Sequence, residues 1–367
     1  MALGVGIVGL PNVGKSTLFN ALTRAQNAEA ANYPFCTIEP NKATVPMADA
    51  RLDALAKIVN PAQIIKATVD FIDIAGLVRG ASKGEGLGNA FLANIRDTDA
   101  IVQVVRCFED GDITHVEGAI DPARDLSIID TELILKDMES VEKALDRHLK
   151  TARGGSKESQ ALVVVLEKVN KALNEGRWAR TADLYKEERA LHRPFCLLTL
   201  KPMLLVGNIS ESDIPNPSAN PHFAALEAAG RERDCPVIPI CSKLEAEIQE
   251  LPEEERPMFL EEAGLKEPGL NTLIRASFRL LGLQTYFTAG VKEVRAWTIR
   301  IGDTAPQAAG VIHTDFEKGF IRAQTISYED YVRLGGEQAA KEAGRMRSEG
   351  KDYVVQDGDV MNFLFNV

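Results

Sequence analysis

The sequence predicts an α/β fold, a mostly parallel sheet covered by helices on both faces, with a helical insertion and a small α+β module after it. Three observations carry this expectation. Strand-like apolar runs at residues 3–8, 67–72, 101–105, 203–206 and 237–240 alternate with segments of helical spacing, and such alternation implies a parallel sheet. Two amphipathic stretches of heptad-like spacing lie back to back between residues 134 and 173. From about Leu283 the helix–strand alternation gives way to closely spaced strands and short helices.

The first strand leads into Gly-Leu-Pro-Asn-Val-Gly-Lys-Ser-Thr, residues 9 to 17, which sets Gly9, Gly14, Lys15 and Ser16 in the spacing Gly-x4-Gly-Lys-Ser/Thr. Beyond it Leu18, Phe19, Ala21 and Leu22 repeat at helical spacing. A strand, a glycine-rich turn and a helix start gather backbone N–H groups and a helix dipole around one anion. The glycines let the main chain approach phosphates, the Lys15 ammonium reaches the β and γ oxygens, and the Ser16 hydroxyl can ligate Mg²⁺. A glycine-rich turn with an incidental lysine would not require both flanks. The expectation is a P-loop NTPase that binds a nucleoside triphosphate.

Thr37 lies in the proline-bounded segment 32–40 after the first helix, where a switch protein needs a hydroxyl to ligate Mg²⁺ and sense the γ-phosphate. The strand at 67–72 ends in Asp73-Ile-Ala-Gly76. A carboxylate there suits an outer-sphere partner of metal-bound water, and Gly76 leaves its N–H free for the γ-phosphate. The glycine-rich residues 79–88 read as a second mobile switch. Residue 77 is leucine, where Ras-like GTPases place a water-orienting glutamine. Leucine has no hydrogen-bonding atoms, so that function must come from another side chain, a monovalent cation such as K⁺, or a partner. Within the chain the candidate is His115, in Asp110-Gly-Asp-Ile-Thr-His115 after the strand at 101–105. An imidazole there can orient water or shuttle a proton, and the competing reading is a polar loop histidine. The catalytic candidates are thus Lys15, Asp73, Gly76 and His115.

Ile134, Met138, Val141, Leu145 and His148 form one apolar seam, and Leu162, Val165, Leu166, Val169 and Leu173 a second. Gly154-Gly155-Ser156 between them is a natural break for an antiparallel hairpin. Residues 128–198 are therefore expected to project as a helical coiled-coil arm from a nucleotide domain made of 1–127 and 199–281. Arg147, Lys150, Arg153 and Lys157 lie toward its tip with no acidic residue from 147 to 157. The whole chain carries a formal net charge of −11, so this is a basic segment in an acidic protein. It suits the phosphates of RNA, or it is a solvated face with no partner.

After the arm, the strand at 203–206 is followed by Gly207-Asn208-Ile-Ser-Glu211. GTPases usually carry Asn-Lys-x-Asp here, the aspartate accepting from guanine. Ile209 removes the lysine stem over the base and Glu211 moves the carboxylate outward by one methylene. A carboxylate accepts from adenine's exocyclic amine but cannot donate to adenine N1, so the departures argue against ordinary guanine recognition without proving adenine. Ser242-Lys243, after Val237–Ile240, occupies the usual place of a last base-contacting loop, or is a helix cap and a solvated lysine.

The first three motifs (residues 9–17, Asn32-Tyr-Pro-Phe-Cys-Thr-Ile-Glu-Pro-Asn41 and Asp73-Ile-Ala-Gly-Leu-Val-Arg-Gly-Ala-Ser82) resemble those of the Obg-related P-loop proteins. With Asn208-Ile-Ser-Glu211 as the fourth, the chain resembles the YchF branch, the Obg-like ATPases, essentially end to end. The resemblance implies an α/β P-loop NTPase domain with an inserted antiparallel helical arm and a carboxy-terminal β-grasp (TGS) domain. It also implies ATP preferred over GTP, slow hydrolysis, and binding to the ribosome (large subunit or 70S) in the regulation of translation or stress response. Carried over, Mg²⁺ contacts map to Ser16 and Thr37, and nucleotide contacts to Asn12, Val13, Gly14, Lys15, Ser16, Thr17, Asn208, Ile209 and Glu211, with Ser242 beside them.

In the last module, 282–365, residues 285–289, 295–301 and 354–365 read as strands, Tyr328–Leu334 as a short helix, and 335–351 as a mobile polar stretch. It carries no catalytic constellation: His313 and Asp315 read as polar residues at strand ends, and the module as a docking surface. The 367 residues suit two or three domains. Cysteines 36, 107, 196, 235 and 241 form no metal spacing and read as free thiols in a reducing compartment. Met1 leads straight into the first strand, and no apolar run approaches the ~20 residues of a membrane span, so a cytoplasmic monomer without a membrane partner is expected. Two rival functions stand beside the switch ATPase. One is a guanine-specific Obg-type GTPase with a degenerate fourth motif. The other is a small-acceptor phosphotransferase, for which no acceptor pocket with a positioned base is found.

Overall fold

The structure, a computed structural model, describes residues 3–29, 41–74, 87–185, 187–191 and 193–366. Twelve strands lie among these: β1 (Gly4–Val8), β2 (Lys42–Pro46), β3 (Gln63–Ile65), β4 (Thr68–Asp73), β5 (Ala100–Arg106), β6 (Met203–Asn208), β7 (Val237–Ile240), β8 (Leu283–Ala289), β9 (Glu293–Arg300), β10 (Phe320–Ile326), β11 (Arg347–Glu349) and β12 (Val360–Phe365). Contacts group the chain into two compact units, Met1–Ala21 with Phe71–Leu270, and Leu22–Asp70 with Asn271–Val367.

The first sheet has the order β2-β4-β1-β5-β6-β7. β1, β5, β6 and β7 pair in parallel, which brings the loops after their carboxyl ends to one edge, where such sheets bind ligands. Every residue of β1, β5 and β6 is buried, the pattern of strands covered on both faces.

The helical insertion consists of the helices Pro122–Arg153 and Lys157–Asn174, about 48 and 27 Å long at 1.5 Å per residue. Asp121 caps the first, accepting from the Arg124 N–H, and Ser156 caps the second. Gly155, at φ 90°, makes the turn between them. Val141 faces into this pair with Val165, Leu166, Val169 and Leu173, all buried, and the seam extends to His148, whose ring meets Phe195 edge-on at 6.2 Å. The first helix starts at Pro122, ahead of the expected arm, and its opening turns carry Asp125 and Asp130. Asp137, fully buried, accepts from the Leu198 and Thr199 N–H groups and the Thr199 hydroxyl at 2.6–2.8 Å. Those bonds tie the returning chain to the outgoing helix.

The second unit holds the mixed sheet β11-β10-β12-β8-β9-β3. Its core gathers Tyr286, Trp297, Ile299, Ala323, Met361 and Phe363 against Ala305, Ala308 and Ala309 of the helix Ala305–Ile312. β3, from the amino-terminal half of the chain, pairs in parallel with β9 as the edge strand. Three expectations are corrected here. The run 354–365 is not one strand: Gly358, at φ 94°, turns the chain and β12 starts at Val360. Residues 335–351 hold the helix Glu337–Glu342 and β11, polar because both are short and largely exposed. His313 is not at a strand end: it caps the helix Thr314–Lys318, its Nδ1 accepting from the Asp315 N–H. Among the described residues no helix is long and apolar enough to cross a membrane.

Candidate nucleotide-binding site

The loop after β1 owes its path to its glycines. A Cβ on Gly9 would stand 2.8 Å from the Val104 carbonyl oxygen, so only glycine lets the loop lie against β5. Asn12 and Gly14 have φ of 62° and 92°, left-handed conformations that turn successive N–H groups toward one centre. A Cβ on Gly14 would overlap the Asn208 amide. The Leu18 N–H bonds the Gly14 carbonyl at 3.0 Å and opens the helix Lys15–Glu29, which presents Ser16 and Thr17 exposed at its start.

Lys15 is only 8% exposed, and its ammonium pairs with the Asp73 carboxylate at the end of β4. Asn208, at the end of β6, donates its amide to the Val13 carbonyl at 2.9 Å and accepts from the Ser242 N–H at 3.0 Å. Three loops are therefore held by one side chain. Among the described residues the buried Ser242 hydroxyl has no partner, and it lies 3.7 Å from the place a Cβ on Gly14 would take. Ile209 is buried and its N–H bonds the Ile240 carbonyl, while Glu211 is exposed in the short turn Glu211–Asp213. Asn220 fastens that turn, donating to the Asp213 carboxylate and to the Cys107 carbonyl, both at 2.9 Å. Burial and the nearby Asp125 and Asp213 push the Cys107 thiol far up, so it stays a neutral packing group.

Sequence reasoning missed Arg106. It is 2% exposed, and its guanidinium donates to the carbonyls of Phe108, Asp110 and Ile113 while lying over the Phe108 ring. An arginine closing the largely apolar, otherwise uncharged strand Ala-Ile-Val-Gln-Val-Val-Arg was the signal available. It folds the loop that follows β5, where the Thr114 carbonyl accepts from the Asn12 amide at 3.1 Å. His115 comes next and is buried. Its Nε2 lies 2.9 Å from Asp125 Oδ2, and its Nδ1 accepts from the Glu117 N–H at 3.1 Å. Both ring nitrogens are thus engaged within the chain. Thr37, Gly76, Leu77 and Cys36 lie outside the described residues.

The loop glycines, the helix start and the unpartnered Ser242 hydroxyl fit a phosphate-bearing ligand. The Ser16 hydroxyl and Asp73 carboxylate are the hard oxygen donors that suit Mg²⁺. The fold and this loop define a P-loop NTPase.

Known proteins agree and narrow the class. The family model "50S ribosome-binding GTPase" matches residues 4–125, and the model YchF-GTPase_C, "Protein of unknown function", matches 283–366. The chain is 59% identical to "Ribosome-binding ATPase YchF" of Escherichia coli O157:H7 and 53% identical to that of Bacillus subtilis (strain 168), in each case over 100% of both chains. The "Structure of the Schizosaccharomyces pombe YchF GTPase" superposes with a TM-score of 0.90 at 40% identity, covering 99% of this chain and 97% of that one. The chain belongs to the YchF family.

Proposed function

We propose that this protein is a slowly hydrolysing, Mg²⁺-dependent ATPase that binds the ribosome in a nucleotide-dependent way and regulates translation or the stress response. The observation that carries the reading is the three-loop junction at Asn208, which joins the phosphate loop to the segment bearing Ile209 and Glu211. Full-length relatives named ribosome-binding ATPases support it.

In this reading Lys15 exchanges the Asp73 carboxylate for phosphate oxygens, and the N–H groups of the 12–17 loop bind the same anion. The released Asp73 turns to the water side of the site, and Ser16 and Thr37 would hold Mg²⁺. The metal, when bound, neutralises charge on the β- and γ-phosphates. Gly76 would meet the γ-phosphate with its N–H. Glu211 accepts from the exocyclic amine of adenine, with Ile209 and Ser242 beside the base. His115, on leaving Asp125, would orient the attacking water or shuttle a proton in place of the glutamine that Leu77 replaces, with K⁺ or the ribosome as the other sources of that function. The arm of residues 128–198 and a TGS-type terminal module, 282–365, are the contact surfaces for the large subunit and its RNA, on a cytoplasmic monomer.

Titration of ATP and GTP at matched Mg²⁺, with and without K⁺, followed by ribosome cosedimentation with ATP, ADP or no nucleotide, tests the proposal. ATP should bind more tightly than GTP, and cosedimentation should depend on the nucleotide. Equal or tighter GTP binding would favour the guanine-specific alternative, and cosedimentation indifferent to nucleotide would remove the switch.

A further inference from the structure

We propose that Asn220 is a positioning residue for base selection: by gripping Asp213 and the Cys107 carbonyl it holds the turn that carries Glu211, and with it the choice between adenine and guanine. The inference rests on the reading above that Glu211 meets the base, and it names a residue outside the motif that fixes where that carboxylate stands.

The turn Glu211–Asp213 is three residues long, with Glu211 and Ser212 exposed, so its own packing does little to fix it. Asp213 Oδ2 accepts from the Ser210 N–H at 3.2 Å and from the Asn220 amide at 2.9 Å, and the same amide nitrogen donates to the Cys107 carbonyl at 2.9 Å. That second link reaches the sheet: the Cys107 N–H bonds the Asn208 carbonyl at 2.8 Å, just beyond the end of β5. Asn220 is itself anchored. Its Oδ1 accepts from the His222 and Phe223 N–H groups at 2.9 and 3.1 Å and caps the helix Pro221–Glu232. That helix lies so close to β6 that a Cβ on Gly207 would meet the Phe223 ring at 2.5 Å. Every hydrogen-bonding position of the Asn220 side chain is thus taken, two toward the helix and two toward the turn and β5. Glu211 stands near the loop that leads into Ser242: burial raises the pKa of the Cys241 thiol, and the Glu211 charge adds to the rise.

Position decides what such a carboxylate selects. Adenine presents an amine donor at the ring position where guanine presents the O6 carbonyl. A carboxylate held opposite that position accepts from adenine and repels guanine. One free to swing accepts instead from guanine N1–H and its amine, so release of the turn weakens ATP and favours GTP.

The full-length protein with Mg²⁺ is titrated by calorimetry with AMPPNP and GMPPNP, non-hydrolysable analogues that differ only in the base. Damage to folding or to the phosphate loop weakens both, so the ratio of their affinities reads the base alone. Asn220→Asp keeps the side chain's shape and its helix cap but removes both donors and sets a carboxylate against Asp213. The parent should prefer AMPPNP, and Asn220→Asp should lower that preference by about tenfold, equivalent to ~1.4 kcal/mol. Glu211→Ala should lower it as well. Adding Asn220→Asp to Glu211→Ala should then change the ratio by less than about twofold, because the two residues act as one unit. Should Asn220→Asp fail to fold, Asn220→Ser still caps the helix but lacks the amide, and should lower the preference likewise. A folded Asn220 variant with the parent's ratio, or a full further drop in the Glu211→Ala background, overturns the positioning role while the ATP reading stands. A parent without preference for AMPPNP overturns the adenine reading at Glu211, and this inference with it.

Discussion

Asn208 and Val13 stand 195 positions apart and meet in a buried hydrogen bond of 2.9 Å, the asparagine amide donating to the backbone carbonyl of the phosphate loop. The same side chain receives the Ser242 N–H at 3.0 Å. Asn208→Ala leaves a buried carbonyl and a buried N–H without partners, at a cost of about 1–3 kcal/mol each. Urea denaturation should show a loss of roughly 2–6 kcal/mol on that basis. Calorimetry should show ATP binding weakened by about tenfold or more, equivalent to ~1.4 kcal/mol. Full ATP affinity in a folded Asn208→Ala protein would mean that this bridge does not organise the site.

Asp137 is the corresponding joint of the helical arm. It is fully buried and accepts three hydrogen bonds from Leu198 and Thr199. Asp137→Ala strands two main-chain N–H groups and should cost roughly 2–6 kcal/mol. Limited proteolysis between residues 175 and 200 should accelerate, because that return segment loses its anchor. Unchanged cleavage and unchanged denaturation together would assign the hold to apolar packing instead.

The sequence announced the phosphate loop because its spacing and both flanks agreed, it announced β1, β5 and β6 because fully buried strands read as largely apolar runs, and it announced the less buried β7 by its short apolar run Val-Ile-Pro-Ile. It hid what depends on partners far along the chain. Arg106 reads as a charge at a strand end until the loop carbonyls it holds are seen. Asp125 reads as an ordinary acid in a first helical turn until His115 arrives beside it. β10 was missed because its alternation is broken by Ile321 and Arg322, both exposed, before Ala323 turns inward. The helix Ala305–Ile312 was legible in principle: Thr304 and Gln307 form a capping box with proline in the first turn.

Arg51 and Asp357 give a test in pH. The Asp357 carboxylate accepts from the Arg51 guanidinium at 3.0 Å and from the Thr285 N–H at 3.1 Å. Burial raises its pKa, but the guanidinium and the Thr285 donors outweigh burial and the net shift is downward. The unfolded chain therefore binds a proton at Asp357 before the folded one does. The pair stabilises the fold above the ordinary aspartate pKa of about 3.9, and this contribution is lost as pH falls through the folded value. With Asp357 half-exposed the effect is screened, to roughly 0.5–1 kcal/mol. Asp357→Asn should lower stability by that amount at pH 7, and parent and variant should converge as pH falls below about 3.9. A gap that stays constant from neutral pH down to pH 3 would show that the carboxylate's charge is not what the pair uses.

The arm's charges give a test in salt. Arg147, Lys150, Arg153 and Lys157 are all exposed, on the last turns of the helix Pro122–Arg153 and the first turn of Lys157–Asn174. A hairpin of this length carries its turn to the far end of a helix of about 48 Å, so cations there can meet phosphates without disturbing the nucleotide loop. Each phosphate contact adds about 0.7–0.9 to the steepness with which log affinity falls against log salt. On the proposed arm contact, changing Arg153 and Lys157 to glutamate would remove two phosphate contacts and should reduce that slope for ribosome binding by about 1.4–1.8. Affinity at low salt should drop sharply while ATP binding stays as in the parent. A slope unaltered by the double charge reversal would return the four residues to the status of a solvated face and move the RNA contact elsewhere on the protein.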